Sequence, residues 1–290
     1  PRPLVPPVTM AFFPLISTIL SKSTIPIVSA FAAPPKHKSA INELKHNNFF
    51  IQSPFIYKKI ITYFSFIKYN FNIRGGFKNP MKKNYQKRSS KEYNFLRGIF
   101  QRITCSLVYG TYYRLVYNLK VEGRENVPKK GFFIVASNHV SAIDPFLVID
   151  AIQRNVAYMA KVELFQNKIA RFFLDILGAF AVDRAKLSVS TIKTVIGLKQ
   201  TGWCLGIFPQ GTREKDGHIE NVNKGFASFA KTLKCDILPV AITGMTKDER
   251  KPFRGKMKII IGKPIPYNDN PEEMMKHWSQ TIAELSKGRV

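Results

Sequence analysis

At 290 residues the chain is long enough for one large domain with a full hydrophobic core and an appendage. Lys and Arg number 45 against 19 Asp and Glu, and the formal charge of +26 predicts a polyanionic partner, either nucleic acid or an anionic membrane face. The three cysteines lie far apart with no C-x-x-C pair, which argues against a disulfide framework and a zinc site and fits a reducing compartment.

Residues 1–80 differ in composition from the rest of the chain. They contain one acidic residue against ten Lys and Arg, and they show no sustained helical or strand period. Prolines and Lys22 interrupt the most apolar stretch, residues 4–33, which argues against a bilayer span of about 20 apolar residues and against a signal peptide. We expect a working protein that begins at Met81, preceded by translated upstream sequence or a disordered extension. The alternative is a basic membrane-associating or targeting extension.

Residues 81–117 combine a basic leader with a helical pattern. Apolar and aromatic residues recur at three- and four-residue spacings between Phe95 and Val116, with arginines interspersed. The pattern predicts an amphipathic helix or helix pair. Such a segment is suited to lying in a membrane interface, and it is equally suited to packing on the core of the next domain. The two interpretations are compatible.

From residue 118 to 290, short apolar runs alternate with stretches of helical spacing. The alternation predicts a single layered α/β domain with a mainly parallel or mixed central sheet flanked by helices. In such sheets the binding and catalytic residues lie beyond the carboxyl ends of the strands. We expect strands at 132–137, 156–161, 179–183, 203–209, 236–242 and 257–262, and helices at 163–177, 187–200, 225–233 and 271–287.

A histidine and an aspartate follow the strand expected at 132–137. His139 stands five residues before Asp144. The carboxylate can accept the Nδ1 proton of the imidazole, and the other ring nitrogen can remove a proton from a substrate hydroxyl. The alternative is structural, with His139 capping a turn and Asp144 beginning a helix that has Pro145 at its first position. The H-x-x-x-x-D spacing alone does not separate the two interpretations.

The sequence Phe-Pro-Gln-Gly-Thr-Arg follows the strand expected at 203–209. Gly211 permits a tight turn, and Thr212 and Arg213 present a hydroxyl and a fixed cation. Arginine suits phosphate because its planar fork can donate two parallel hydrogen bonds. The alternative is an ordinary turn with a solvated arginine.

Two further segments have both a functional and a structural interpretation. Arg184 ends the segment Gly-Ala-Phe-Ala-Val-Asp-Arg, residues 178–184, which contains an expected strand. Lys161 is the last residue of the strand expected before it. Asp183 and Arg184 can also form a surface ion pair of little energetic weight. The buried run at 237–242 contains Pro239, which an edge strand or a bulge explains equally well.

In this order and spacing, the four segments resemble sequence blocks of the glycerolipid acyltransferases, specifically the 1-acyl-sn-glycerol-3-phosphate (lysophosphatidic acid) acyltransferases. The matching blocks are NHVSAID, GAFAVDR, FPQGTR and ILPVAI, and the approach NLKVEGRENVPKKGFFIVASNH is also similar. The resemblance covers roughly residues 90–290 and does not reach residues 1–80.

The resemblance implies that His139 removes the proton from the sn-2 hydroxyl of 1-acyl-glycerol-3-phosphate and that Asp144 orients His139. The hydroxyl then attacks an acyl thioester on coenzyme A or acyl-carrier protein, giving phosphatidic acid for phospholipid biosynthesis. No metal or cofactor is implied. The residues implied to bind the acceptor are Arg213 and Arg184 at its phosphate, Gly211 and Thr212 in the turn, Gln210 at a glycerol hydroxyl, and Lys161 as a further candidate.

The third block departs from the family at one position. Gln210 stands where the family has glutamate. Glutamine keeps the length and the acceptor oxygen but carries no charge. We therefore expect Gln210 to orient the acceptor by hydrogen bonding alone.

The resemblance also gives the basic charge a purpose. Residues 81–290 carry 35 Lys and Arg against 18 Asp and Glu, a charge of +17. We expect peripheral or monotopic attachment to an anionic membrane surface at its cytoplasmic face, without nucleic acid as a partner. The alternatives within the enzyme class are acylation of glycerol-3-phosphate, another lysophospholipid or a non-phosphorylated acceptor. Outside that class they are a nucleic-acid-binding protein and a catalytically silent lipid-binding relative.

Overall fold

The computed structural model describes residues 85, 87–183, 188–213, 222–246 and 248–286. The chain divides into two units, Pro1–Lys83 and Asn84–Val290, and every described residue belongs to the second. The predictions for residues 1–80 and for Arg184 therefore lie outside the described residues.

The described residues form an α/β domain in the order that the sequence pattern predicts. The strands are β1 Lys120–Glu122, β2 Ile134–Ser137, β3 Val156–Lys161, β4 Phe180–Val182, β5 Cys204–Ile207, β6 Ile237–Thr243 and β7 Lys258–Ile261. The helices are α1 Phe95–Thr104, α2 Thr111–Tyr117, α3 Asp144–Ile152, α4 Lys168–Ile176, α5 Val189–Lys199, α6 Gly225–Leu233 and α7 Pro271–Ser286. Short 3₁₀ turns cover Ser90–Glu92, Arg124–Asn126 and Val162–Phe165, and a π-helical segment, Cys105–Gly110, joins α1 to α2.

The seven strands form one sheet in the order β1-β7-β6-β2-β5-β3-β4. Strands β6, β2, β5, β3 and β4 are parallel, whereas β7 is antiparallel to β6 and parallel to β1. The central strand β2 is buried along its whole length, as expected where helices flank both faces of a parallel sheet. The predicted α/β class and the mainly parallel, mixed sheet are confirmed.

The main core lies between the sheet and the helices α5, α6 and α7. Its largest buried side chains are aromatic, and Phe226 of α6 meets Trp278 of α7 edge to face at 5.4 Å. The indole Nε1 of Trp278 donates a 2.9 Å hydrogen bond to the carbonyl oxygen of Ala136 in β2. This bond fixes α7 against the strand that leads to His139.

Three local features differ from the sequence prediction. Strand β1 was not expected, because three residues with only Val121 turned partly inward carry almost no periodic signal. The helix expected at 163–177 begins only at residue 168, since the side chain of Asn167 accepts a hydrogen bond from the backbone N–H of Ala170 and starts a new helix. Helix α3 was considered only as an alternative, and it begins at Asp144 with Pro145 in its first turn.

Pro239 lies in a central strand, so the edge-strand explanation is wrong. Its strand pairs with β2 on one side and β7 on the other. Ile237 of β6 pairs with Ile265, and Val240 of β6 pairs with Ile261 of β7. Between these two pairings, the segment that follows β7 contains one residue more than β6 does. This bulge lies opposite the proline, where its missing N–H breaks no regular ladder.

Helices α1 and α2 pack on the domain through one face. Gln101 in α1 donates through Nε2 to the carbonyl oxygens of Val156 and Leu177 at 2.7 and 2.6 Å, and its Oε1 accepts from the N–H of Val156. Gly110 lies so close to the carboxylate of Asp150 in α3 that a Cβ there would be 2.5 Å from it. The core-packing interpretation therefore holds for this face, whereas membrane contact by the opposite face stays a prediction.

None of the helices among the described residues combines the length and the apolar character needed to cross a membrane.

Candidate active site

The predicted site residues follow strands that end at one edge of the sheet. Because β2, β3, β4 and β5 are parallel, their carboxyl ends lie side by side. His139 comes two residues after β2, Lys161 is the last residue of β3, and residues 208–213 follow β5 directly. Topology thus brings three separated pieces of sequence to one edge.

His139 and Asp144 form a hydrogen-bonded pair at this edge. The imidazole Nδ1 lies 2.9 Å from the carboxylate Oδ2, and the side chains are 15% and 0% exposed respectively. With its proton on Nδ1, the ring donates to the carboxylate and keeps the Nε2 lone pair available to accept a proton. The catalytic and the structural interpretations of the sequence both apply to Asp144, since it also begins α3.

The same carboxylate oxygen organises the loop that carries the histidine. Asp144 Oδ2 also accepts hydrogen bonds from the backbone N–H groups of Val140 and Ser141, at 2.7 and 2.8 Å. The loop wraps around one buried oxygen, so removal of the carboxylate would leave two backbone donors as well as the imidazole without this acceptor.

Asn138 anchors the start of this loop to the neighbouring strand. Its Nδ2 donates to the carbonyl oxygen of Ile242 in β6 at 2.9 Å, and its Oδ1 accepts from the N–H of Ile242 at 2.7 Å. The amide side chain thereby replaces a backbone partner just beyond the end of β2. No role is predicted for Asn138 from the sequence, although its place in the first block is a signal.

An aromatic stack fixes the plane of the imidazole. The ring of Phe208 lies against that of His139, with centroids 4.0 Å apart and planes 18° from parallel, and Tyr158 of β3 stacks on Phe208 at 5.2 Å. Burial raises the pKa of the Tyr158 phenol well above its ordinary value, and the nearby Asp144 carboxylate raises it further, so the phenol stays neutral. The sequence does not predict this stack, because Tyr158 and Phe208 are distant from His139 along the chain.

Gln210 links the third block to the first. Its side chain is buried, and Oε1 accepts a 2.9 Å hydrogen bond from the backbone N–H of His139. The oxygen assignment follows from the donor, since a backbone N–H needs an acceptor. A hydrogen bond from this oxygen to a glycerol hydroxyl of the acceptor stays a prediction. The structure places the oxygen on the main chain of the histidine.

The turn after β5 brings the end of the third block to the surface. The N–H of Gly211 donates to the carbonyl oxygen of Phe208 at 2.9 Å, and Gly211 has a φ of 72°, a conformation that favours glycine. Thr212 and Arg213 beyond it are exposed. Arg213 therefore stands where a soluble anionic group can reach it.

Lys161 is already paired, and Arg184 lies outside the described residues. The ammonium of Lys161 lies 3.1 Å from a carboxylate oxygen of Glu163, and both side chains are about half exposed. An exposed pair of this kind opens readily because it contributes little free energy.

The described part of the chain contains neither a reactive thiol nor a metal-binding group of side chains beside this site. Cys105, Cys204 and Cys235 are buried and unbonded, and burial raises the pKa of all three thiols, to about 11 for Cys204 and about 12 for Cys235. Across the described ranges, no three His, Cys, Asp or Glu side chains are grouped so as to hold a metal ion.

Comparisons with known proteins identify the family of the chain. The sequence profile of the Acyltransferase family matches residues 118–243. The chain is 37% identical over 176 residues to the 1-acyl-sn-glycerol-3-phosphate acyltransferase of Bacillus subtilis, an alignment covering 58% of this chain and 87% of that protein. It is 32% identical over 124 residues to the enzyme of the same name from Borreliella burgdorferi, covering 42% of this chain and 50% of that one.

A solved structure is similar as well. The 1-acyl-sn-glycerophosphate acyltransferase PlsC of Thermotoga maritima superposes with a TM-score of 0.55 and 25% identity, covering 77% of this chain and 92% of that one. The predicted family is thereby confirmed, and the chain belongs to the acyltransferase family that includes the 1-acyl-sn-glycerol-3-phosphate acyltransferases.

Proposed function

We propose that this protein acylates the sn-2 hydroxyl of 1-acyl-glycerol-3-phosphate, forming phosphatidic acid for phospholipid biosynthesis. The observation that carries the proposal is the His139–Asp144 pair, joined at 2.9 Å at the carboxyl edge of the sheet in a chain of the acyltransferase family. The relatives at 37% and 32% identity are named for this acceptor.

His139 acts as the general base. Its Nε2 takes the proton of the acceptor hydroxyl as the oxygen attacks the carbonyl carbon of the acyl thioester. The resulting tetrahedral intermediate expels the thiolate as the carbon–sulfur bond breaks, and the imidazolium returns the proton to sulfur. Asp144 holds the tautomer that leaves Nε2 free and stabilises the imidazolium between the two steps.

The acceptor phosphate lies against the exposed end of the third block. The guanidinium of Arg213 can donate two parallel hydrogen bonds to phosphate oxygens, and Thr212 can add a hydroxyl donor. Gly211 sets the path of this turn. Arg184 is a second phosphate ligand in this proposal, and Lys161 becomes available when its exposed pair with Glu163 opens.

Gln210 and Phe208 position the base. Gln210 holds the backbone of His139, and Phe208 covers one face of its ring. A positioned general base contributes about 10²–10⁴-fold to a rate, and a small displacement of the base reduces that contribution.

The donor is an acyl thioester of coenzyme A or acyl-carrier protein, and neither a metal nor a cofactor takes part. The protein works at the cytoplasmic face of an anionic membrane, where its positive charge concentrates it beside its substrate.

The test is a product assay with the purified protein. Lysophosphatidic acid is supplied with acyl-coenzyme A and, separately, with acyl-carrier protein; glycerol-3-phosphate, lysophosphatidylcholine and monoacylglycerol serve as competing acceptors. We expect phosphatidic acid, identified by mass spectrometry, as the dominant product with at least one donor. Turnover of a different acceptor in preference would replace the proposed substrate, and tight lysophosphatidate binding without any product would favour a silent lipid-binding protein.

A further inference from the structure

The turn between β6 and β7 presents an aromatic side chain to solvent in an unfavourable backbone conformation. Phe253 has a φ of 61°, in the left-handed region that L-residues other than Asn and Asp rarely adopt, and it is 66% exposed. Burial in the core cannot explain why a large apolar residue stands here. A strained backbone conformation that holds an exposed aromatic side chain is a feature typical of functional segments.

The sequence around Phe253 is strongly basic. Arg250, Lys251, Arg254 and Lys256 lie within seven residues that contain no acidic side chain. Lys251, Arg254 and Lys256 are exposed, as is Pro252 beside the phenylalanine. An exposed apolar group among cations is complementary to an anionic lipid interface, which offers acyl chains and negative headgroups at adjacent depths.

The turn lies at the edge of the sheet that carries the catalytic pair. Strand β6 is parallel to β2, and the loop to β7 leaves the carboxyl end of β6. Asn138, the residue before His139, exchanges two hydrogen bonds with Ile242 near that end.

The turn is also joined to the end of α2. The N–H of Phe253 donates to the carbonyl oxygen of Val116 at 2.6 Å, and a Cβ at Gly255 would be 2.8 Å from the carbonyl oxygen of Tyr117. Leu115, next to Val116, is 62% exposed. We call residues 115–117 and 250–256 together the basic rim.

We propose that the basic rim is a membrane contact, with Phe253 and Leu115 entering the lipid interface and the surrounding cations meeting anionic headgroups. This contact turns the sheet edge with His139 toward the bilayer from which a lipid acceptor would arrive. The inference rests on the proposed function, since only a lipid substrate makes that orientation useful.

Vesicle sedimentation of the full-length protein tests the contact. Phe253→Gly removes the aromatic ring and suits the positive φ, so its melting temperature should equal or exceed that of wild type. Its affinity for phosphatidylcholine–phosphatidylglycerol vesicles should fall about tenfold. The double variant Lys251→Gln/Arg254→Gln should lose about 30-fold on these vesicles and little on pure phosphatidylcholine.

Tyr267→Ser is the matched control. Tyr267 is also an exposed aromatic residue, and its N–H bonds to Asp236 at the opposite, amino end of β6. Its substitution should leave vesicle binding unchanged. Equal binding by wild type and Phe253→Gly, or equal loss in the Tyr267 control, would overturn the proposal.

A competing ligand and an activity assay separate the remaining outcomes. Binding of a single-stranded oligonucleotide that Phe253→Gly abolishes, with vesicle binding unchanged, would assign the rim to nucleic acid and overturn the membrane contact. Because sedimentation does not require turnover, vesicle binding with no acyl transfer to any acceptor would contradict the proposed function and still support the contact.

Discussion

The two segments that build the candidate site differ in how far their side chains are exposed to solvent. The loop from β2 to α3 closes around one buried oxygen of Asp144, which accepts from the imidazole of His139 and from two backbone N–H groups. In the segment after β5, Gln210 bonds to the backbone of His139, and Thr212 and Arg213 beyond it are exposed. The proposed general base is therefore preorganised, whereas the end proposed to bind the acceptor phosphate is open to solvent.

Substitution of Asp144 should have a large effect on the firmly held loop. In Asp144→Asn the amide can still accept hydrogen bonds but carries no charge and can favour the wrong imidazole tautomer. We expect kcat to fall about 10²–10⁴-fold and the free energy of unfolding to fall by about 1–3 kcal/mol. Steady-state kinetics and urea unfolding measure the two effects. A full-rate variant would mean that the carboxylate acts only as a helix start.

Substitution at the open end should affect substrate binding instead. Arg213→Gln removes a charged donor, so KM for lysophosphatidic acid should rise about 10–100-fold, because hydrogen bonds to charged groups contribute about 1.5–3 kcal/mol. A non-phosphorylated acceptor should be affected much less. Arg124→Gln, at an exposed arginine beyond the other end of the sheet, is the control. Equal losses on both acceptors would argue against phosphate binding by Arg213.

Gln210 stands between the two loops and gives the sharpest comparison. Gln210→Leu keeps the approximate size but leaves the N–H of His139 without its acceptor, so kcat should fall about tenfold with KM nearly constant. Gln210→Glu retains an acceptor oxygen and should stay within about threefold of wild type. A rise in KM as the main effect of Gln210→Leu would show that Gln210 binds the acceptor, as predicted from the sequence. A large gain in Gln210→Glu would show that the charge of the family glutamate matters.

The features that could be predicted from the sequence are those that depend on residues close together along the chain. Most strands and helices were visible because apolar periodicity reflects burial, and the strand expected at 156–161 matches β3 at both ends. The pair His139 and Asp144 was visible because both residues lie in one short segment.

The remainder depends on contacts between distant segments. Two contacts join segments that follow or form different strands: the bond from the backbone of His139 to Gln210, and the stack of Tyr158 on Phe208. No spacing in the sequence predicts such contacts. An edge position for Pro239 was predicted as one alternative because the extra residue that accommodates the proline follows β7, far from Pro239 in the sequence.

The central claim is that His139 performs the proton transfer, and single-turnover kinetics of His139→Ala test it most directly. Purified wild type and variant are saturated with lysophosphatidic acid and mixed with the preferred acyl thioester, and phosphatidic acid formation is followed in time. His277→Ala, at an exposed histidine of α7, is the control and should react at the wild-type rate. We predict that His139→Ala forms product about 10²–10⁴-fold more slowly and still binds the acceptor. Product formation by His139→Ala at the wild-type rate would contradict the account.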